Sequence, residues 1–88
     1  MNLVEVFVEV FVEENCAACE SVLEILEQLS IELPIVKRVF HRGKDGNEFQ
    51  VRGITILPAT FINHQLTFYG EFSKRDFHRQ LLRLRRRP

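Results

Sequence analysis

Eighty-eight residues, 45% hydrophobic and with eight phenylalanines, make one small domain spanning 1–88 and exclude a chain disordered by composition. The formal net charge is zero, which argues against a nucleic-acid-binding role. No segment approaches the ~20 apolar residues of a membrane-spanning helix.

Residues Leu3 to Val12 alternate strictly. Val4, Val6, Val8, Val10 and Val12 share one face; Leu3, Glu5, Phe7, Glu9 and Phe11 share the other. β-branched and aromatic residues fill most positions, so this is a strand, and its glutamates mark a start exposed on one side.

Asn15-Cys16-Ala17-Ala18-Cys19-Glu20 follows and holds both cysteines of the chain. The spacing between a strand and a helix puts two sulfurs at the helix N-terminus. Unpaired backbone N–H groups and the positive end of the helix dipole there favour a thiolate. Such a pair can cycle between dithiol and disulfide, or hold a soft metal. The loop it closes is too short to add much stability, which excludes a structural disulfide framework.

Ala17 to Leu29 reads as a helix. Val22, Ile25, Leu26 and Leu29 recur at spacings of three and four, with Glu20, Glu24 and Glu27 on an opposite side. Pro34 breaks the chain after it. Ile35 to His41 is a second strand, and residues 42–47 are turn-rich around Asp45-Gly46. Glu48 to Arg52 fits a stunted helix or the return strand of a hairpin, and Gly53 ends it.

Ile54 to Ile62 is apolar and β-branched, with Pro58 inside, which indicates an edge, a bulge or a cis bond at a strand start. Asn63-His64 is a two-residue hairpin turn, since Asn tolerates positive φ. Gln65 to Tyr69 is its partner strand. Ser73-x-x-Asp76 has the form of a capping box. Phe77, Leu81, Leu82 and Leu84 then mark the apolar stripe of a last helix, which runs into Arg85, Arg86 and Arg87. Phe61, Phe68, Phe72 and Phe77 are expected in the core. Arg83 and the three arginines after it read as a solvated helix end that complements the helix dipole. There is no internal repeat and no linker.

The order strand, helix, strand, uncertain connection, strand, strand, helix gives an α/β mixed four-stranded sheet. Its first two strands should be parallel and its last two an antiparallel hairpin. Charge is unevenly spread along it: −8 over residues 1–36 and +8 over residues 37–88. Mutual neutralisation on packing is the expected outcome; a bipolar surface that steers partners is the alternative.

This order and two local motifs resemble the thioredoxin and glutaredoxin superfamily. The motifs are the strand-Cys-x-x-Cys-helix over Val6 to Leu29, and Val51-Arg52-Gly53-Ile54-Thr55-Ile56-Leu57-Pro58-Ala59-Thr60-Phe61-Ile62-Asn63. The resemblance covers nearly the whole chain. It implies a thioredoxin-like fold with a short or degenerate second helix. It also implies a thiol–disulfide oxidoreductase that needs no bound organic cofactor. Cys16 would be the attacking thiol and Cys19 the resolving thiol. Pro58 would be a cis-proline beside the sulfurs, and the backbone of Leu57 would pair with an extended substrate. The partners implied are a disulfide-containing protein substrate and a reductase or small thiol, with no nucleic acid and no membrane.

The chain departs from the family at several points. Ala17-Ala18 stands between the cysteines. Val10 occupies the place of the buried aspartate of thioredoxins. Ile56-Leu57-Pro58 and Tyr69-Gly70-Glu71 replace the usual glutathione-binding segments. Glu13, Glu14 and Glu20 oppose the dipole at the sulfurs and favour a reducing couple.

The Cys-Ala-Ala-Cys loop is also similar to that of heavy-metal-associated domains that carry soft ions such as Cu(I) through two such sulfurs. Those domains end on a strand and carry a methionine before the loop; this chain does neither. His41, His64 and His78 show no ligand spacing and are expected at the surface. No basic stretch precedes the first apolar run, so no signal peptide is expected. A cytoplasmic location follows.

Overall fold

The computed structural model describes residues 4–85. Four strands form one sheet in the order β2-β1-β3-β4. The elements are β1 (Val6–Val12), α1 (Ala17–Glu32), β2 (Ile35–His41), α2 (Gly46–Arg52), β3 (Ala59–Ile62), β4 (Gln65–Tyr69) and α3 (Lys74–Arg85). β1 and β2 are parallel, with Val6 opposite Ile35 and Val12 opposite His41. β3 runs antiparallel to β1, and β4 antiparallel to β3.

The alternation of β1 divides the core in two. Val6, Val8, Val10 and Val12 pack with Val22, Leu26 and Leu29 of α1 and with Phe77 and Leu81 of α3. Phe11 faces the other way and packs with Phe40, Phe49, Ile54 and Phe61. The helices therefore sit on both faces, α1 and α3 on one and the short α2 on the other.

Turn chemistry holds the connections. Asn63 and His64 both take positive φ, 47° and 69°, which a tight two-residue hairpin demands. The Asn63 side chain also accepts from the Phe7 backbone N–H at 3.0 Å, and the Asn63 N–H donates to the Phe7 carbonyl at 2.7 Å. The hairpin is thus pinned to β1. The ambiguous segment is a helix: α2 ends at Gly53, whose φ of 65° closes it in the left-handed region. Ser73 and Asp76 form the reciprocal capping box, Ser73 N–H to Asp76 Oδ2 at 3.1 Å and Asp76 N–H to Ser73 Oγ at 3.0 Å. The Ser73 backbone N–H first, and the Ser73 hydroxyl second, hold the Asp76 carboxyl below its ordinary range.

Several expectations are corrected. The first strand starts at Val6, and Val4 is exposed; Leu3 lies outside the described residues. α1 continues past Leu29 to Glu32, because nothing before Pro34 breaks it and the Leu33 N–H still bonds the Leu29 carbonyl. The strand expected from Ile54 starts only at Ala59, since Pro58 offers no N–H to a ladder. Leu82 is not core but 58% exposed. Phe61, Phe72 and Phe77 are buried and Phe68 half-buried.

Glu9 is the largest correction. A glutamate in the alternation marks an exposed face, yet Glu9 is 2% exposed. Its Oε2 accepts from Arg52 Nη2 at 2.7 Å, and this bond raises the Arg52 pKa above its ordinary value. The Arg52 guanidinium lies over Phe61 and Phe11, at 5.0 and 5.7 Å from the ring centroids. Its long side chain roofs the carboxylate. His64, though exposed, brings Nδ1 to 3.6 Å from Glu9 Oε1.

Ion pairs join the two charge halves over part of the surface. The lysine and arginine ion pairs among the described residues are Lys37–Glu27, Arg42–Glu13, Arg52–Glu9 and Lys74–Glu32. Each joins an acid before residue 37 to a base after residue 36. Arg86 and Arg87 of the basic C-terminus lie outside the described residues.

Candidate active site

β1 ends at Val12, and Glu13 to Asn15 carry the chain from the carboxyl end of this central strand into α1. Asn15 takes φ 54°, a conformation Asn tolerates better than most residues. The turn sets Cys16 as the N-cap of α1. Its φ of −123° and ψ of 101° are extended, and its Sγ accepts from the Cys19 backbone N–H at 3.1 Å. Sulfur therefore stands where a serine or aspartate oxygen would stand at other helix starts. The free N–H groups of the first turn and the helix dipole both favour negative charge on that atom.

Cys16 is half-buried and Cys19, one turn further on, is 2% exposed within the α1 core. The two are joined as a disulfide, with Cα atoms 5.2 Å apart, inside the normal span for such a bridge. This asymmetry of access is what a two-cysteine exchange reaction requires: one sulfur that a substrate can reach and one that only its neighbour can.

Pro58 stands at the same end of the sheet. In the antiparallel register Ala59 faces Phe11, so Pro58 comes level with Val12, where β1 gives way to the cysteine turn. The Leu57–Pro58 peptide bond is cis. Cys16 and Leu57 both pack against the cluster that holds Cys19. Pro58 itself is buried, and its carbonyl accepts from the Gly70 N–H at 2.8 Å. The fold thus gathers Cys16, Cys19, Leu57 and Pro58 at one end of the two central strands, from two segments about forty residues apart. Ile56, just before them, is exposed. Val10, on the strand beneath α1, is fully buried and apolar, so it offers no proton acceptor under the sulfurs.

One feature beside the cysteines escaped the sequence reading. A cleft of about 540 Å³ opens where β1 and β2 end, lined by Glu13, Glu14, His41, Arg42, Gly43 and Lys44. Its acidic wall leads into the cysteine turn and its basic wall is the β2–α2 connection. Arg42 Nη1 spans them to Glu13 Oε1 at 3.2 Å. In the sequence residues 42–47 read only as a turn. The usable signal was their place beyond the carboxyl end of a parallel strand, where α/β folds put their ligands. Among the described residues no three His, Cys, Asp or Glu side chains converge as a metal site. No helix among them is long and apolar enough to cross a membrane.

Comparison with known proteins agrees with this architecture. The thioredoxin domain family matches residues 6–83. The chain belongs to that family. No curated protein sequence matches it. Among solved structures it is similar to thioredoxin-2 of the malaria parasite, described as a component of that parasite's protein secretion machinery. The TM-score is 0.76 and the identity 17%, with 89% of this chain and 82% of that one covered. It is also similar to thioredoxin f2 of Chlamydomonas reinhardtii, with a TM-score of 0.63, 23% identity and 94% and 81% coverage. At such identities the likeness speaks for the fold.

Proposed function

We propose that this protein is a thiol–disulfide oxidoreductase that reduces disulfides in protein or small-molecule substrates. The observation that carries the reading is the Cys16–Cys19 disulfide itself, with one half-buried sulfur capping a helix and the other enclosed behind it.

In the reduced protein the Cys16 thiolate attacks one sulfur of a substrate disulfide. The substrate S–S bond breaks, its other sulfur leaves as a thiolate, and a mixed disulfide joins Cys16 to the substrate. The Cys19 thiolate then attacks Cys16 Sγ. That step releases the second substrate thiol and forms the intramolecular disulfide. Two electrons pass from the pair to the substrate. A reductase dithiol, or two equivalents of a small thiol that leave as their own disulfide, returns them.

The backbone of Leu57 is the site at which an extended substrate segment would pair, with Pro58 setting its approach to Cys16. No bound organic cofactor enters the cycle. A cytoplasmic location fits a couple of this kind, flanked by Glu13, Glu14 and Glu20, which destabilise the thiolate and so weigh against a strongly oxidising disulfide.

The test is turnover and trapping. With a recycling dithiol, the wild-type protein is expected to reduce the disulfides of insulin. Cys16→Ser removes the nucleophile and abolishes turnover. Cys19→Ser still attacks but accumulates a mixed disulfide visible by non-reducing electrophoresis and mass spectrometry. A wild-type protein without disulfide reductase activity would overturn the proposal and turn attention to a scaffold or soft-metal carrier.

A further inference from the structure

Ion pairing between the two charge halves leaves two rows of charge largely unpaired among the described residues. α1 turns Glu20, Glu24, Glu27 and Ile31 outward, at spacings of four and three that keep them on one stripe. α3 turns Arg75, Arg79, Leu82 and Arg83 outward in the same way. In the first row only Glu27 has an ion-pair partner among the described residues, Lys37; in the second row none does. Asp76, next to Arg75, is held in the capping box and lies within the field of Arg75 and Arg79.

The helix dipole accounts for Glu20 in a first turn and Arg83 near a last turn. It does not account for Glu24 and Glu27 in mid-helix, and it disfavours Arg75 in the first turn of α3. Each row also carries one large aliphatic side chain in water. Ile31 is 87% exposed, the most of any large hydrophobic among the described residues, and Leu82 is 58% exposed.

Both helices cover the same face of the sheet, where they share one hydrophobic cluster. Glu32 of α1 joins Lys74 and His78 of α3 at 3.8 and 3.3 Å. An acidic row and a basic row of similar length therefore run on neighbouring helices of one face. A two-fold axis lying between them would set the acidic row of one copy on the basic row of the other, twice. That is the self-complementarity of an isologous dimer.

We propose that this face pairs two copies of the chain, α1 of each against α3 of the other. Acidic and basic rows meet in both halves of the contact, and Ile31 and Leu82 lose their exposure. The patch is small. Two helices about 10 Å wide and roughly 20 Å long give a footprint of about 400 Å², against about 800 Å² per partner in a stable complex. The dimer is therefore weak and strongly salt-dependent.

Sedimentation equilibrium tests this at protein concentrations up to about 1 mM, where a contact of this size fills. Wild-type protein is expected to dimerise in about 20 mM salt, with a dissociation constant at least about tenfold larger in 500 mM salt. R75E/R79E/R83E and E20K/E24K/E27K should each be monomeric alone. An equimolar mixture of the two should form the heterodimer, because every like-charge contact then becomes opposite. Should charge reversal unfold a helix, R75S/R79S/R83S carries the test and should lose the dimer and its salt dependence. Wild-type protein that stays monomeric at low salt overturns the proposal, as does a mixture that fails to associate while both variants are folded.

Discussion

The two faces of the sheet solve the same burial problem with different chemistry. Under α1 and α3 the face of β1 is all valine, closed mainly by aliphatic side chains, with Phe72 and Phe77 at the α3 side. Under α2 it is Phe11 among Phe40, Phe49 and Phe61, with a buried carboxylate beside them. Phe11 stacks on Phe40 at 4.7 Å and meets the edge of Phe49 at 5.0 Å. A 16-residue helix can cover valines outright, whereas the 7-residue α2 covers only part of its side. Arg52 extends that cover with a charged roof over two rings, and Glu9 neutralises it from below. Cys19 is built into the valine-lined side, where Thr60 is the one buried polar residue among the described residues.

The most disruptive way to probe this contrast is to open the aliphatic side. Leu26→Ala should cost about 2–5 kcal/mol in urea unfolding, as a cavity in a core that cannot collapse. Next comes the roofed side. Arg52→Ala should cost about 2–3 kcal/mol by leaving Glu9 buried and unpaired, somewhat below the value for a fully enclosed pair because water reaches the arginine. Replacing Glu9 by Leu and Arg52 by Met together should cost less than either single change, and a strictly additive double variant would contradict the pairing. In the other direction, the Thr60 hydroxyl is buried without a hydrogen-bond partner among the described residues. Thr60→Val should stabilise by about 1 kcal/mol; a loss of stability would mean that the hydroxyl is satisfied.

The smallest effect is at the α3 cap. Ser73→Ala should cost about 1 kcal/mol near neutral pH. Asp76, whose folded pKa is lowered mainly by its bond from the Ser73 N–H, contributes above the ordinary carboxylate range. Its contribution fades as pH falls through the lowered value. The wild-type advantage over Asp76→Asn should therefore shrink in acid, and a constant difference would contradict the box.

Much of this was legible in the chain. The period-two pattern of β1, the α1 stripe, the Asn63-His64 turn and the Ser73-Asp76 box are local, and each is fixed by side chains within a few residues of one another. The pairing of the cysteine turn with Pro58 came through resemblance, since nothing local links segments so far apart. Glu9 was misread because alternation says which face a side chain takes but not what covers it. Its cover is Arg52, more than forty residues later on a helix too short to be told from a strand. Leu82 fitted the apolar spacing of α3, yet Leu81 and Leu84 take the inward side. The cleft at His41 to Lys44 is closed by Glu13 and Glu14, about thirty residues earlier in the chain, which no local pattern links to that turn.

Equilibration with glutathione redox buffers, followed by acid quench and mass spectrometry of alkylated protein, tests the redox role most directly. Cys16 and Cys19 should titrate as one reversible two-electron couple in the reducing range, with the dithiol-to-disulfide ratio changing tenfold over about 30 mV. Cysteines that alkylate as two independent thiols at every buffer ratio, never closing a disulfide, would contradict it.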